Sequence, residues 1–170
     1  MNTTSKLIIH YTGLIALCLF LTNCGYHLRG ALALPTQLNN LYLTGETTQL
    51  RAQFSKSLQL SAGQLNDSPN PNSLTIQINK EDMQRRILSL SSRGRSNEFE
   101  LVYRLNYSLL DTQQNPLLKN QSLEIRREYF NNQQDILAKD NEETVIRDEM
   151  YQQAVQTILN IARSVLTATP

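Results

Sequence analysis

Histidine, cysteine and glycine are scarce in this chain. Its 170 residues include two histidines, two cysteines and six glycines. His10 and Cys18 fall within the first 23 residues, so only His27 and Cys24 lie beyond them. A Ser-His-Asp arrangement would have to use His27. A zinc site would lack ligands, and no Gly-rich phosphate cradle is present. Glu98 and Glu100 could suggest a glycosidase-type carboxylate pair, but they alternate with apolar residues and read as the solvated face of a strand. No catalytic residue, metal site or cofactor is expected. The longest apolar run is also too short for a comfortable membrane span, which needs roughly 20 residues.

That run carries the first positive signal. Residues 7–21 are almost continuously apolar, Lys6 precedes them, and Leu21-Thr22-Asn23-Cys24 follows. This is the layout of a bacterial lipoprotein signal peptide. Asn23 departs from the small residue usual before the cysteine. Residues 1–23 are expected to be removed and Cys24 to receive the lipid. Each buried methylene contributes about 0.8 kcal/mol, so several acyl chains anchor firmly where one does not. Gly25 stands where an Asp would suggest inner-membrane retention. Cys18 would leave with the signal and Cys24 would carry lipid, so no disulfide is expected.

Residues 24–167 are expected to form a single domain, with 168–170 a short tail. Losing Lys6 leaves fifteen basic residues against fifteen acidic ones. Whole-chain charge therefore gives no reason to expect nucleic acid, and an anionic partner must meet a local patch.

Pattern then places the elements. Leu41-Tyr42-Leu43 reads as a short strand after Asn39-Asn40. Leu50, Phe54 and Leu58 form a helical stripe within residues 47–62, with Gly63 at the C-cap position. Residues 74–79 alternate as a strand, and residues 98–109 alternate most cleanly of all, with one buried and one polar face. Residues 91–96 form a flexible basic connection between them, and a further strand is expected over about 121–129.

Asp140, with Glu143 three residues on, reads as the N-cap of a C-terminal helix running to about Leu166. Ile146, Met150, Ala154, Ile158, Ala162 and Leu166 form its stripe, widened by Val145, Tyr151, Val155, Leu159 and Val165. Of Tyr129 and Phe130, one is expected in the core and the other exposed. The order of elements predicts an α+β fold, a two-layer sandwich of two helices packed on a roughly four-stranded sheet.

Three segments resemble a known family. They are Cys24-Gly25-Tyr26-His27-Leu28-Arg29-Gly30, the run 35–45 (PTQLNNLYLTG), and Ala138-Lys139-Asp140-Asn141-Glu142 followed by Glu149-Met150-Tyr151. Together they resemble the LPS-assembly lipoprotein LptE (RlpB) family of Gram-negative bacteria, over most of residues 24–165. The resemblance implies a lipid-anchored protein on the periplasmic side of the outer membrane. It implies one-to-one pairing with the LptD β-barrel as a plug that helps the barrel assemble. It also implies binding of lipopolysaccharide for delivery to the cell surface, and a fold of two helices on a four-stranded sheet.

Lys139 matches a lysine of that family implicated in lipopolysaccharide binding, and its place near a helix N-terminus is electrostatically unfavourable. Arg93 and Arg95 flank Gly94 where the family carries a basic loop residue, and either could be the equivalent one. Cationic groups suit a phosphorylated ligand because they can replace its bridging divalent cations. Arg85-Arg86 and Arg126-Arg127 read as solvated or interface charges, each pair splitting between opposite strand faces. The alternative is another outer-membrane lipoprotein scaffold, either a barrel-assembly subunit or a cell-wall-binding module.

Overall fold

The computed structural model describes residues 35–130 and 136–168. The signal segment and Cys24 lie outside the described residues.

A 3-10 turn, Thr36–Asn39, leads into β1 (Asn40–Thr44). Helix α1 (Thr48–Gln59) follows, then β2 (Gln64–Asn66), β3 (Leu74–Leu90), β4 (Ser96–Leu110), β5 (Pro116–Phe130) and helix α2 (Ile136–Ala168). The sheet order is β2-β1-β3-β4-β5. β1 runs parallel to both β2 and β3, while β3, β4 and β5 form an antiparallel meander. This is the expected α+β arrangement with one strand more: the short β2, which alternation alone does not reveal.

Helix α1 folds because its apolar residues recur every fourth position. Leu50, Phe54 and Leu58 are fully buried, and each such side chain contributes about 1.5–3 kcal/mol. Thr47 caps the start, its hydroxyl accepting from the Leu50 backbone N–H at 3.3 Å. The C-terminus differs from expectation. The Gly63 N–H reaches back to the Leu58 carbonyl at 2.8 Å, and the Ala62 N–H to that of Gln59 at 3.4 Å. That is a Schellman motif, but the left-handed residue is Ala62, with φ +56°, and not Gly63.

Helix α2 begins at Ile136, a full turn before the expected N-cap. Asp140 therefore stands inside the helix, and Lys139 is its fourth residue. Ile136, Leu137 and Ala138 are acceptable helix formers that carry the turn upstream. Met150, Ala154, Ile158 and Ala162 are buried as a stripe, joined by Tyr151, Val155 and Leu159. Val145 is 56% exposed and does not widen it.

The helix-facing side of β4 carries Phe99, Leu101, Tyr103, Leu105, Tyr107 and Leu109, all buried, as its period-two pattern predicts. β3 is much longer than the alternating run 74–79. Its second half, from Lys80 onward, pairs with β4 but buries none of its side chains fully. The β3–β4 hairpin thus extends beyond the common core.

Candidate functional site

The hairpin ends in a five-residue turn. The Ser91 N–H donates to the Arg95 carbonyl at 2.7 Å, and the Gly94 N–H donates to the Ser91 carbonyl at 2.9 Å. The Ser91 hydroxyl accepts from the Arg95 N–H at 3.2 Å. Gly94 takes φ +73°, a conformation that glycine adopts without a steric cost. Arg93 and Arg95, on either side of it, are both exposed. The two loop candidates therefore share one turn.

Lys139 lies in the first turn of α2, and only its backbone position is described. One helical turn further on, Glu143 is tied to the distal part of the sheet. Its carboxylate accepts from Arg85 at 3.0 Å, from Arg147 at 2.7 and 2.9 Å, and from the Tyr129 hydroxyl. Burial opposes the charge, but Tyr129, Arg147 and Arg85 outweigh it and hold the Glu143 carboxyl at about 2. Burial and the Glu143 charge push the Tyr129 hydroxyl up to about 12, against the opposing effect of Arg85. The Arg85 guanidinium also lies 4.9 Å from the centre of the Phe99 ring. This cluster fixes the beginning of α2 over the same end of the sheet that leads to the basic turn.

Neither adjacent arginine pair is simply solvated. Arg85 faces the helices, while Arg86 faces away and pairs with Glu100. Arg127 donates to the Gln153 side chain of α2. Arg126 lies 3.9 Å from Glu100 and pairs with Glu124 at 2.5 Å. Glu124 also receives Arg104 at 2.7 Å, and Arg104 lies 3.8 Å from Asp82. The sheet face turned away from the helices therefore carries an ionic ladder across three strands.

Glu100 is a correction to the sequence reading: it is 4% exposed, not solvated. Its partners come from β3 and β5, so its own strand gave no sign of them. Glu98 accepts from the Ser89 hydroxyl at 2.5 Å. Tyr129 proves to be the core residue at 5% exposure and Phe130 the exposed one at 68%.

Among the described residues, no group of His, Cys, Asp or Glu side chains could hold a metal ion. No described helix is long and apolar enough to cross a membrane. A shallow pocket lined by Gln37, Leu74, Leu117 and Leu166, among others, includes none of the sequence-predicted site residues. The sequence reading missed the cluster around Glu143, whose members are far apart in the chain. It also passed over the apolar residues Ile87, Leu88 and Leu90 just before the basic turn.

The protein is similar over 155 residues, at 28% identity, to the LPS-assembly lipoprotein LptE of Pectobacterium atrosepticum, covering 88% of this chain and 82% of that one. It is 26% identical to the protein of the same name from Photorhabdus laumondii, over 87% of this chain and 82% of the relative. Among solved structures it resembles the uncharacterized lipoprotein B of Nitrosomonas europaea, with TM-score 0.69 and 30% identity. That match covers 85% of this chain and 94% of the other. The rare lipoprotein B of Shewanella oneidensis shares the fold at TM-score 0.63 and 24% identity, over 76% of this chain and 96% of that one. The family model LptE, described as Lipopolysaccharide-assembly, matches residues 38–160, and the chain belongs to that family.

Proposed function

We propose that this protein is an outer-membrane lipoprotein, anchored through acyl chains on Cys24, that plugs and helps assemble an LptD-type β-barrel and binds lipopolysaccharide for transport to the cell surface. Lys139, Arg93 and Arg95 meet the anionic part of the ligand, and other surfaces hold the barrel one-to-one. The role is one of binding and assembly, without turnover.

The observation that carries this reading is the placement of the basic turn. Arg93 and Arg95 sit exposed at the end of a hairpin that extends past the core. The Glu143 cluster holds the first turns of α2, which include Lys139, over that same end of the sheet. The backbone of Lys139 is thus on the same end of the sheet as the strand pair that leads to Arg93 and Arg95. The polar ladder on the opposite sheet face suits the polar lumen of a barrel.

Co-purification of tagged full-length protein from outer membranes tests the proposal, comparing wild type with Lys139→Asp. Wild type is expected to bring down one large barrel and lipopolysaccharide, and the variant to keep the barrel and lose the lipopolysaccharide. If no barrel accompanies the wild type, the reading is wrong and a cell-wall-binding or other scaffold role replaces it.

A further inference from the structure

Large apolar side chains are exposed at the end of the sheet that leads to the basic turn. Ile87, Leu88 and Leu90 are 56%, 43% and 60% exposed on β3, and Phe130 is 68% exposed at the end of β5. The register relates them: Leu90 pairs with Ser96, while Glu98 is bracketed by Ser89 on one side and Phe130 on the other. Leu90 and Phe130 therefore stand on the two strands that flank β4 near its start, Phe130 on the face that carries Glu98 and Glu100, and the pairing shifts between Ser89 and Leu90. A shift in pairing between Ile87 and Ser89 places Leu88 at an irregularity beside them.

Sheet ends exposed to water are normally blunted by charge. Here the apolar residues Ile87, Leu88 and Leu90 come first, and the turn that follows them carries Arg93 and Arg95. Glu98, the acid within the rim, is engaged by Ser89. A cationic tip beside an apolar rim is complementary to an amphiphile whose phosphates adjoin its acyl chains. A polar saccharide or a soluble acidic protein would satisfy the turn and leave the rim in water.

We infer that Leu88, Leu90 and Phe130 receive acyl chains of the same phosphorylated glycolipid whose headgroup meets Arg93 and Arg95. This rests on the lipopolysaccharide-binding reading above and adds to it a lipid-contacting rim. Exclusion of Leu90 and Phe130 from water on binding is the source of the added affinity.

The test uses the full-length lipoprotein in its own membranes. A photo-crosslinking phenylalanine analogue replaces Leu90, Phe130 or Arg93, and Leu60, which is 71% exposed beyond α1, serves as control. After irradiation, purified protein is blotted for lipopolysaccharide and the adducts are mapped. Positions 90 and 130 are expected to react with acyl chains and position 93 with the sugar-phosphate part, with no adduct at position 60.

In parallel, Leu90→Ser combined with Phe130→Ser is expected to retain roughly tenfold less lipopolysaccharide, at an unchanged melting temperature. Adducts from position 93 alone, or phospholipid or protein adducts from positions 90 and 130, would overturn the rim while the ligand reading stood. No lipopolysaccharide adduct at any position would overturn both.

Discussion

Glu81, on β3, caps a helix that begins beside Thr47, thirty-four residues earlier in the chain. Its carboxylate accepts from the Thr47 backbone N–H at 3.0 Å and from the Thr47 hydroxyl at 2.8 Å. In a local capping box a Glu three residues after the cap would bind that N–H, but Leu50 occupies the position. The buried Tyr103 hydroxyl donates to the same carboxylate at 3.0 Å. Glu81→Ala removes an acceptor from three donors, one of them on a buried side chain. The expected loss is about 2 kcal/mol, read by urea denaturation.

Glu100 gives a prediction about asymmetry. It is buried, while Arg86 and Arg126 keep about half of their side-chain surface exposed, 55% and 51%. Replacing the acid frees two arginines that can turn to water. Replacing an arginine leaves a buried carboxylate short of a partner. Arg86→Met should therefore destabilise the protein by about 2 kcal/mol, and Glu100→Met by less than about 1 kcal/mol. Equal losses in thermal unfolding would contradict this account.

The pH dependence follows from the Glu143 cluster. The carboxyl is held at about 2 in the folded state, against an ordinary value of 4.5. The unfolded chain therefore takes up this proton first. The stabilisation is fully present above pH 4.5 and drains away as pH falls towards 2. At the alkaline end the raised Tyr129 hydroxyl acts in the other direction: its stabilisation is complete below pH 10 and declines between 10 and about 12. Glu143→Gln should flatten the acid limb of a stability–pH curve relative to wild type. An unchanged slope below pH 4.5 would show that the cluster does not set acid sensitivity.

Two backbone positions predict changes of opposite sign. Gly45 has φ +81°, and a Cβ there would lie 2.3 Å from the Ile78 carbonyl oxygen. Gly45→Ala combines strain with a backbone clash and should cost about 3 kcal/mol. Ala62 holds a left-handed conformation that favours glycine. Ala62→Gly should raise stability by roughly 0.5–1 kcal/mol, because relief of the Cβ strain exceeds the added freedom of the unfolded chain. Denaturation midpoints check both.

What the sequence disclosed was apolar periodicity; the burial of the even-numbered Glu100, Val102 and Ser108 of β4 was not legible in it. β4 could be read from its alternation because its odd-numbered residues pack under the helices. The α1 stripe was legible for the same reason. Residues 80–90 were not, because none of their side chains is fully buried and apolar and polar residues do not alternate along them. At the start of α2, the acidic residues imitate a cap, while the helix begins a turn earlier. Of the candidate site, Arg93 and Arg95 were visible as a basic loop around a glycine. The cluster that aligns α2 with the hairpin joins Arg85, Tyr129 and Glu143 from three separate elements. No spacing within one element could disclose it.

The ionic ladder of Arg86, Glu100, Arg126, Glu124, Arg104 and Asp82 has a consequence for how the molecule is felt at a distance. Its three cations and three anions alternate, so their fields cancel within a few ångströms and salt has little left to screen. An approaching surface would sense that flank only on contact, with encounter rates indifferent to ionic strength. The turn between β3 and β4 holds two arginines and no acid. Its charge is of one sign within the turn, so salt-dependent, long-range attraction of anions is expected at that end of the molecule more than along the ladder.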